Sequence, residues 1–495
     1  LEFQKHYQLP IVHLLDANRT FEKKYHRGGW PFLMLADKKG QVVYKNNTLI
    51  ESEMSKITGL LDAMLRQQPE IELMTMDGVS YMPATLQRSG ESKKARRCDR
   101  FPSLACGPDG KVYVVFTTNR KGNSDVFIRV FDGKVWSGDK PVAATAADEY
   151  DGMVVADKQN RVWVSWTSNA DGKNYNIFVT SFVELAESFA AEQITHAYDD
   201  AMHARMACDN QGSVWMTYYK WHKETGRGGG ASRDKEVYIR RWKDGNWSDE
   251  VQVSPTDVPW YEDHSEPAIT AYGNKAIVCW SWDYHQPKGY TKDAKEPTIF
   301  ARSISDALKP GKIVAVSGKN IDVTPAIAVG KDGRIWCAWD SLGGEEKLDS
   351  ERKNLCVREV IFIESPRAEN LMLSRAVVNV CTPSFAVSPE GAITLVWSET
   401  SDLKGWVLKQ AEFDQVHNRW SKAKTIESKG NPRYCSAAYD GKGQLWIAYS
   451  EETDIGREII ITKLKDKDSV AAPDNILHKV VSGVPDNERA IAKLR

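Results

Sequence analysis

Hydrophobic and polar positions alternate along most of this chain in short runs that end on a large aromatic side chain. The runs are KVYVVF at 111–116, RVWVSW at 161–166, SVWMTY at 213–218, KAIVCW at 275–280, RIWCAW at 334–339, AITLVW at 392–397 and QLWIAY at 444–449. Each follows a turn residue, in order Gly110, Asn160, Gly212, Asn274, Gly333, Gly391 and Gly443, with an aromatic residue six positions later. Alternation with period two marks a β-strand, and Gly or Asn supplies the left-handed backbone that a tight turn needs. The phrase recurs at intervals of roughly 50 to 60 residues, which identifies an internal repeat.

Within each repeat the order is an apolar strand such as FPSLAC, the turn, the aromatic strand, a polar loop and a third strand. DVFIRVF (125–131), EVYIRRW (236–242) and REIIITKL (457–464) are third strands of this kind. A fourth strand is expected after the Trp-Ser pairs Trp136-Ser137, Trp247-Ser248 and Trp420-Ser421. Four short antiparallel strands per repeat are the signature of a β-propeller blade. The expectation is therefore a mainly β fold, a seven-bladed β-propeller over residues 71–495 with a tail from about residue 466. The last repeat lacks a clear fourth strand, and YMPATLQRSG precedes the first, so residues 79–90 are expected to complete blade seven. The repeated Trp, Tyr and Phe are expected in the core.

Residues 1–70 break the repeat. IVHLLDANRTFEKKYHRGGWPFLMLADKKGQVVYKNN (11–47) reads as strand, helix, turn, strand and hairpin, with an amphipathic helix over 51–67. This region resembles the C-terminal half of a thioredoxin or peroxiredoxin-like domain, with Pro31 of GGWP and the hairpin LADKKGQVVY as its landmarks. The resemblance implies a partial α/β thioredoxin-like region preceding the propeller. No CxxC is present, so the dithiol exchange of that family is not expected from it.

Composition narrows the function. Lys and Arg total 66 against 67 Asp and Glu, so no global field draws the chain to nucleic acid. No apolar run is long enough to span a membrane, and Leu1 is followed by no basic and then apolar leader, which reads as a mature or trimmed chain. The expected setting is extracytoplasmic, periplasmic or secreted. The eight cysteines show no zinc-type spacing and are expected as buried thiols.

Candidate chemistry concentrates between residues 196 and 285. The loops after the second strands are long in the middle blades, three to five, at 220–235, 283–297 and 340–354, and long loops on a rigid scaffold carry function disproportionately. His203 with His222, and His264 with His285, are each expected to pair the start of an inner strand with the end of the second. Four imidazoles would then share one wall over blades three to five. Arg205, Asp263, Glu266, Tyr261 and Tyr284 stand beside them.

The turns resemble the Asp-box, or bacterial neuraminidase repeat, of carbohydrate-active propellers. EDHSEP (262–267) with His285 resembles the Asp-His-x-x-Pro plus distal His pattern of ulvan-lyase-type polysaccharide lyases. That resemblance implies that His264 and His285 are catalytic, abstracting a proton beside a uronate carboxylate, with Arg205 adding charge. His203, His222, Asp263, Glu266, Tyr261 and Tyr284 would bind the ligand. Thr324 and Asp340 stand where the family offers Tyr and Arg.

Two other chemistries fit the same residues. The imidazoles and carboxylates suit a divalent metal at the histidine cluster, although no cofactor is required and no tight metal-ligand spacing occurs. Glycoside hydrolysis would use a carboxylate pair drawn from Asp151, Asp263 and Asp322. The expected partner is a polysaccharide or small polar ligand. The alternative is a non-catalytic, protein-binding scaffold, in which a His or Asp at the head of a blade only hydrogen-bonds a turn.

Overall fold

A computed structural model describes residues 33–36, 42–46, 97–170, 172–196, 199–222, 234–256, 262–284, 298–317, 321–342, 353–362, 371–375, 380–400, 405–453 and 456–464. The chain divides into two units, Leu1–Glu91 and Ser92–Arg495. In the first, Leu33–Ala36 pairs antiparallel with Val42–Asn46, within the expected LADKKGQVVY hairpin. Pro31, the helix expected over 51–67 and the tail from 466 lie outside the described residues.

In the second unit seven antiparallel sheets follow one another along the chain. Their innermost strands are Arg100–Cys106, Glu149–Ala156, Asp200–Cys208, Glu262–Tyr272, Ile321–Val329, Val380–Val387 and Arg433–Tyr439. Each inner strand packs against that of the next sheet, and the last packs against the first. The ring is closed, and the unit is a seven-bladed β-propeller. Among the described residues no helix is long and apolar enough to cross a membrane.

The repeat explains the blades locally. Six turn markers, Gly110, Asn160, Gly212, Gly333, Gly391 and Gly443, have φ between +62° and +99°; in blade four the neighbouring Gly273, at +61°, takes that role. The aromatic residues six positions on, Phe116, Trp166, Tyr218, Trp280, Trp339, Trp397 and Tyr449, are all buried. In blades two, three and seven an aspartate ties turn to strand. Asp157, Asp209 and Asp440 each accept backbone N–H groups of the turn and the indole N–H of Trp163, Trp215 or Trp446.

The Trp-Ser pairs have a double use. Ser137, Ser248 and Ser421 each clamp one residue of the third strand, accepting its N–H on Oγ and donating their own N–H to its carbonyl. The adjoining tryptophans reach the next seam: Trp136 packs on Trp446, Trp247 on Trp163 and Trp420 on Trp336. Seven hydrophobic clusters result, one between each pair of neighbouring blades.

Arg97–Cys98 pairs parallel with Gly456–Arg457 of blade seven, and the Asp99 N–H donates to Arg457 O at 2.9 Å. Glu149 and Ala201 make the same bond to Ser124 and Tyr175 at the next two seams, so this is the ordinary blade-to-blade crossing. Buried Asp99 also accepts from Thr118 Oγ1 at 2.6 Å and from Arg120, whose guanidinium reaches on to Asp139 and through it to Arg129. Residues 79–90, expected to complete blade seven, lie outside the described residues. Cys98, Cys106, Cys208, Cys279, Cys337, Cys356 and Cys435 are free thiols, the last four of them buried.

Candidate active site

Every inner strand carries a β-bulge at the same place. The register slips between Arg100 and Ser103, Tyr150 and Met153, Met202 and Arg205, Ser265 and Ala268, Val323 and Ala326, Cys381 and Ser384, and Arg433 and Ser436. At each slip one non-glycine residue is left-handed: Phe101, Asp151, His203, Glu266, Thr324, Thr382 and Tyr434, with φ between +51° and +61°. A bulge turns its extra residue out of the pleat and re-aims the side chain. All seven are partly exposed and several touch the neighbouring blade, so they form the inner rim of the ring.

The residue two places after the bulge latches one blade to the next. Ser103 Oγ accepts from Val154 N at 3.0 Å, Ser384 Oγ from Ala437 N at 3.1 Å, and Ser436 Oγ from Leu104 N at 3.0 Å. Met153 Sδ takes the same bond from Met206 N at 3.1 Å. Blades three, four and five carry Arg205, Ala268 and Ala326 instead. Ala268 and Ala326 have no side-chain acceptor, and Arg205 is a long cation that turns back toward blade two.

There Arg205 Nη1 donates to both oxygens of Asp151, at 3.0 and 3.1 Å, and Nη2 lies 2.9 Å from His203 Nε2 and 3.3 Å from its Nδ1. His203 Nδ1 is 3.2 Å from Asp151 Oδ2. A guanidinium has no acceptor, so Nε2, the nearer ring nitrogen, accepts from it and Nδ1 is left to donate to the carboxylate. Burial raises the cost of the Asp151 charge, but Arg205 and His203 outweigh it and hold the carboxyl well below the usual range. Tyr219 lies beside the imidazole, ring centroids 6.3 Å apart. On the rim of blade four, Glu266 Oε2 accepts the N–H of Thr324 at 2.8 Å.

Of the four imidazoles expected to share one wall, the side chains of His203 and His264 are among the described residues, and His264 is buried. His264 stands two residues before its bulge, opposite Trp282, at a position that is also buried in blades one, two, three, five and six as Asp99, Glu149, Ala201, Asp322 and Val380. Its Nδ1 accepts the Trp280 indole N–H at 2.9 Å, and burial pushes its pKa down to about 4 against opposing Glu236 and Asp263. His222 is three residues beyond Tyr219, the partner of Met202, and pairs with Asp234, so it does not face His203 across the sheet.

Asp263 is a blade-to-blade cap. It accepts the Lys235 N–H at 3.1 Å, as Asp148 accepts that of Ser124, Asp200 that of Tyr175 and Asn431 that of Trp406. Tyr284 pairs through its backbone with Glu262. Tyr261, His285 and the Tyr284 and His222 side chains lie outside the described residues. Of the carboxylates considered for hydrolysis, Asp263 and Asp322 are buried and Asp151 lies on the rim. Among the described residues no three His, Cys, Asp or Glu side chains are grouped to hold a metal ion.

Asp151 and Arg205 were each visible in the sequence, but their union with His203 was not. The signal lies in aligning the bulge tripeptides FPS, DGM, HAR, EPA, TPA, TPS and YCS, where HAR alone places a cation at the third position.

No protein-family model and no curated protein sequence matches this chain. Among solved structures, an ulvan lyase of a polysaccharide lyase family, bound to -[GlcA(1-4)Rha3S]-, is similar at 11% identity with a TM-score of 0.48, covering 74% of this chain and 94% of that one. The intramolecular trans-sialidase from Ruminococcus gnavus is similar at 10% identity with a TM-score of 0.41, covering 76% and 96%. An endo-arabinase from Bacteroides thetaiotaomicron is similar at 15% identity with a TM-score of 0.30, covering 51% and 91%. At these values the likeness says nothing of this chain's chemistry.

Proposed function

We propose that this protein is a carbohydrate-active propeller that binds an acidic polysaccharide at the inner rim and cleaves it by β-elimination, with His203 as the base. The observation that carries this reading is the Asp151–His203–Arg205 contact set. It holds a neutral imidazole whose lone pair, on Nε2, adjoins a guanidinium.

A uronate carboxylate is a bidentate partner for a guanidinium. On arriving it competes for Arg205 and uncovers Nε2 beside the C–H next to that carboxylate. Nε2 then takes this proton, the pair of electrons left behind forms the C4–C5 double bond, and the C4–O glycosidic bond breaks with its electron pair on the leaving oxygen, which takes a proton from solvent water. Asp151 stabilises the imidazolium that forms, and Arg205 offsets charge developing on the carboxylate. The reading moves the base from His264 to His203 because a proton acceptor must reach its substrate.

The test is incubation with a panel of acidic polysaccharides, following unsaturated-uronate absorbance and binding. Turnover is expected from at least one polymer. His203→Gln and Arg205→Gln should each lower it by about a hundredfold or more. Turnover that survives both substitutions, or no binding of any polymer, overturns the reading.

A further inference from the structure

The rim residues run in ring order Tyr434, Phe101, Asp151, His203, Glu266, Thr324 and Thr382. Five are polar. The two aromatic residues are neighbours across the seam between blades seven and one, their ring centroids 4.4 Å apart and their planes tilted by 52°. Phe101 is followed in the ring by Asp151, so this angled aromatic wall adjoins the polar cluster.

Neither ring serves the core. The cluster at this seam is built from Phe116, Phe127, Ile459, Trp446 and their neighbours, and contains neither Phe101 nor Tyr434. Both side chains remain partly exposed. A left-handed backbone at a bulky residue costs about 1 to 2 kcal/mol, and here no burial in a seam cluster offsets it. The bulge thus places two partly exposed aromatic side chains at the rim, at positions where Thr or Glu serves in other blades.

We infer that Phe101 and Tyr434 form a stacking subsite for a neutral pyranose ring of the glycan, next to the residue processed at Asp151–His203–Arg205. The inference rests on the carbohydrate reading above. A pyranose with equatorial hydroxyls has a face made of C–H groups, which is apolar and complementary to the negative face of an aromatic ring. The wall therefore takes a sugar by its C–H face, while the polar cluster takes the acidic sugar by its carboxylate.

The test uses methyl β-glucoside, methyl β-xyloside and methyl β-galactoside as probes in saturation-transfer NMR, together with affinity for the polymer that the wild type turns over. Saturation should appear on ring C–H protons of at least one probe. Phe101→Ala and Tyr434→Ala should weaken polymer binding about tenfold each, and Phe101→Trp and Tyr434→Phe should hold it within about threefold. Phe101→Leu and Tyr434→Leu keep side-chain volume without an aromatic face, and should fail like the alanine variants if those do not fold. Wild-type affinity in folded leucine or alanine variants overturns the subsite and leaves the reaction at His203 standing. Turnover lost in His203→Gln with probe saturation retained supports both. No binding of any polymer or probe overturns both.

Discussion

His203 and His264 lie on the inner strands of neighbouring blades, yet the first occupies the left-handed bulge of its strand and the second stands two residues before the bulge of its own. That offset separates a partly exposed imidazole held by a carboxylate and a guanidinium from a fully buried one held by an indole. The same residue type therefore has two physical roles.

For His264 the pKa in the folded protein, about 4, lies below its ordinary 6.5. Folding then favours the neutral ring: its contribution is complete above pH 6.5 and is lost as pH falls toward 4. The loss is on the order of 3 kcal/mol. Urea midpoints at pH 7.5 and 4.5 should show a drop in the wild type that His264→Gln largely removes. Equal drops in both proteins would refute the assignment.

Asp151 is depressed in the folded state by Arg205 and His203, so its contribution to stability is present above the ordinary carboxylate range and is lost as pH falls below it. Asp151→Asn should cost about 1 to 3 kcal/mol at pH 7 and progressively less as pH falls below about 4. It should also lower turnover more than polymer affinity, because it removes the group that stabilises the imidazolium. A cost independent of pH, measured by chemical denaturation, would contradict the ion-pair role.

The seam between blades seven and one depends on Asp99, which is fully buried and joined to Arg120, Thr118 and the backbone of blade seven. Asp99→Ala leaves the Arg120 guanidinium short of a partner in a poorly solvated place. The expected cost is about 3 to 5 kcal/mol, read as a fall in melting temperature and faster proteolysis at that seam. A change under about 0.5 kcal/mol would show that the seam does not rely on the network.

In the Trp-Ser pairs the two residues should separate in magnitude. Ser421→Ala removes the bond from Glu412 N and should cost about 1 kcal/mol. Trp420→Ala empties the place against Trp336 and Phe413 and should cost about 3 to 5 kcal/mol. Denaturant midpoints of both variants check the ratio, and equal costs would mean the indole is not a core element.

Much of the architecture was legible in the chain. Turn residues need positive φ and strands facing a core alternate, local requirements that each repeat displays, and Trp-Ser recurs in three repeats where a third strand is clamped. The site was less legible. Asp263 reads as a ligand-binding acid beside His264, but its neighbours in space are Lys235 N–H and Nζ, from another blade. His203 and His222 read as the two ends of one pairing, but Tyr219 pairs with Met202, and His222 lies three residues farther along its strand.

The sequence by itself determined the number of blades, their strand order and which aromatic residues fill the seams, because those follow from periodicity and turn chemistry within some tens of residues. Only the tertiary structure decided which side chains reach the rim. A bulge adds one residue to one strand and reverses which side chains face inward, and the contacts that follow cross between blades. Asp151 and Arg205 are separated by a whole repeat in the chain and meet at 3.0 Å because their inner strands are neighbours in the ring.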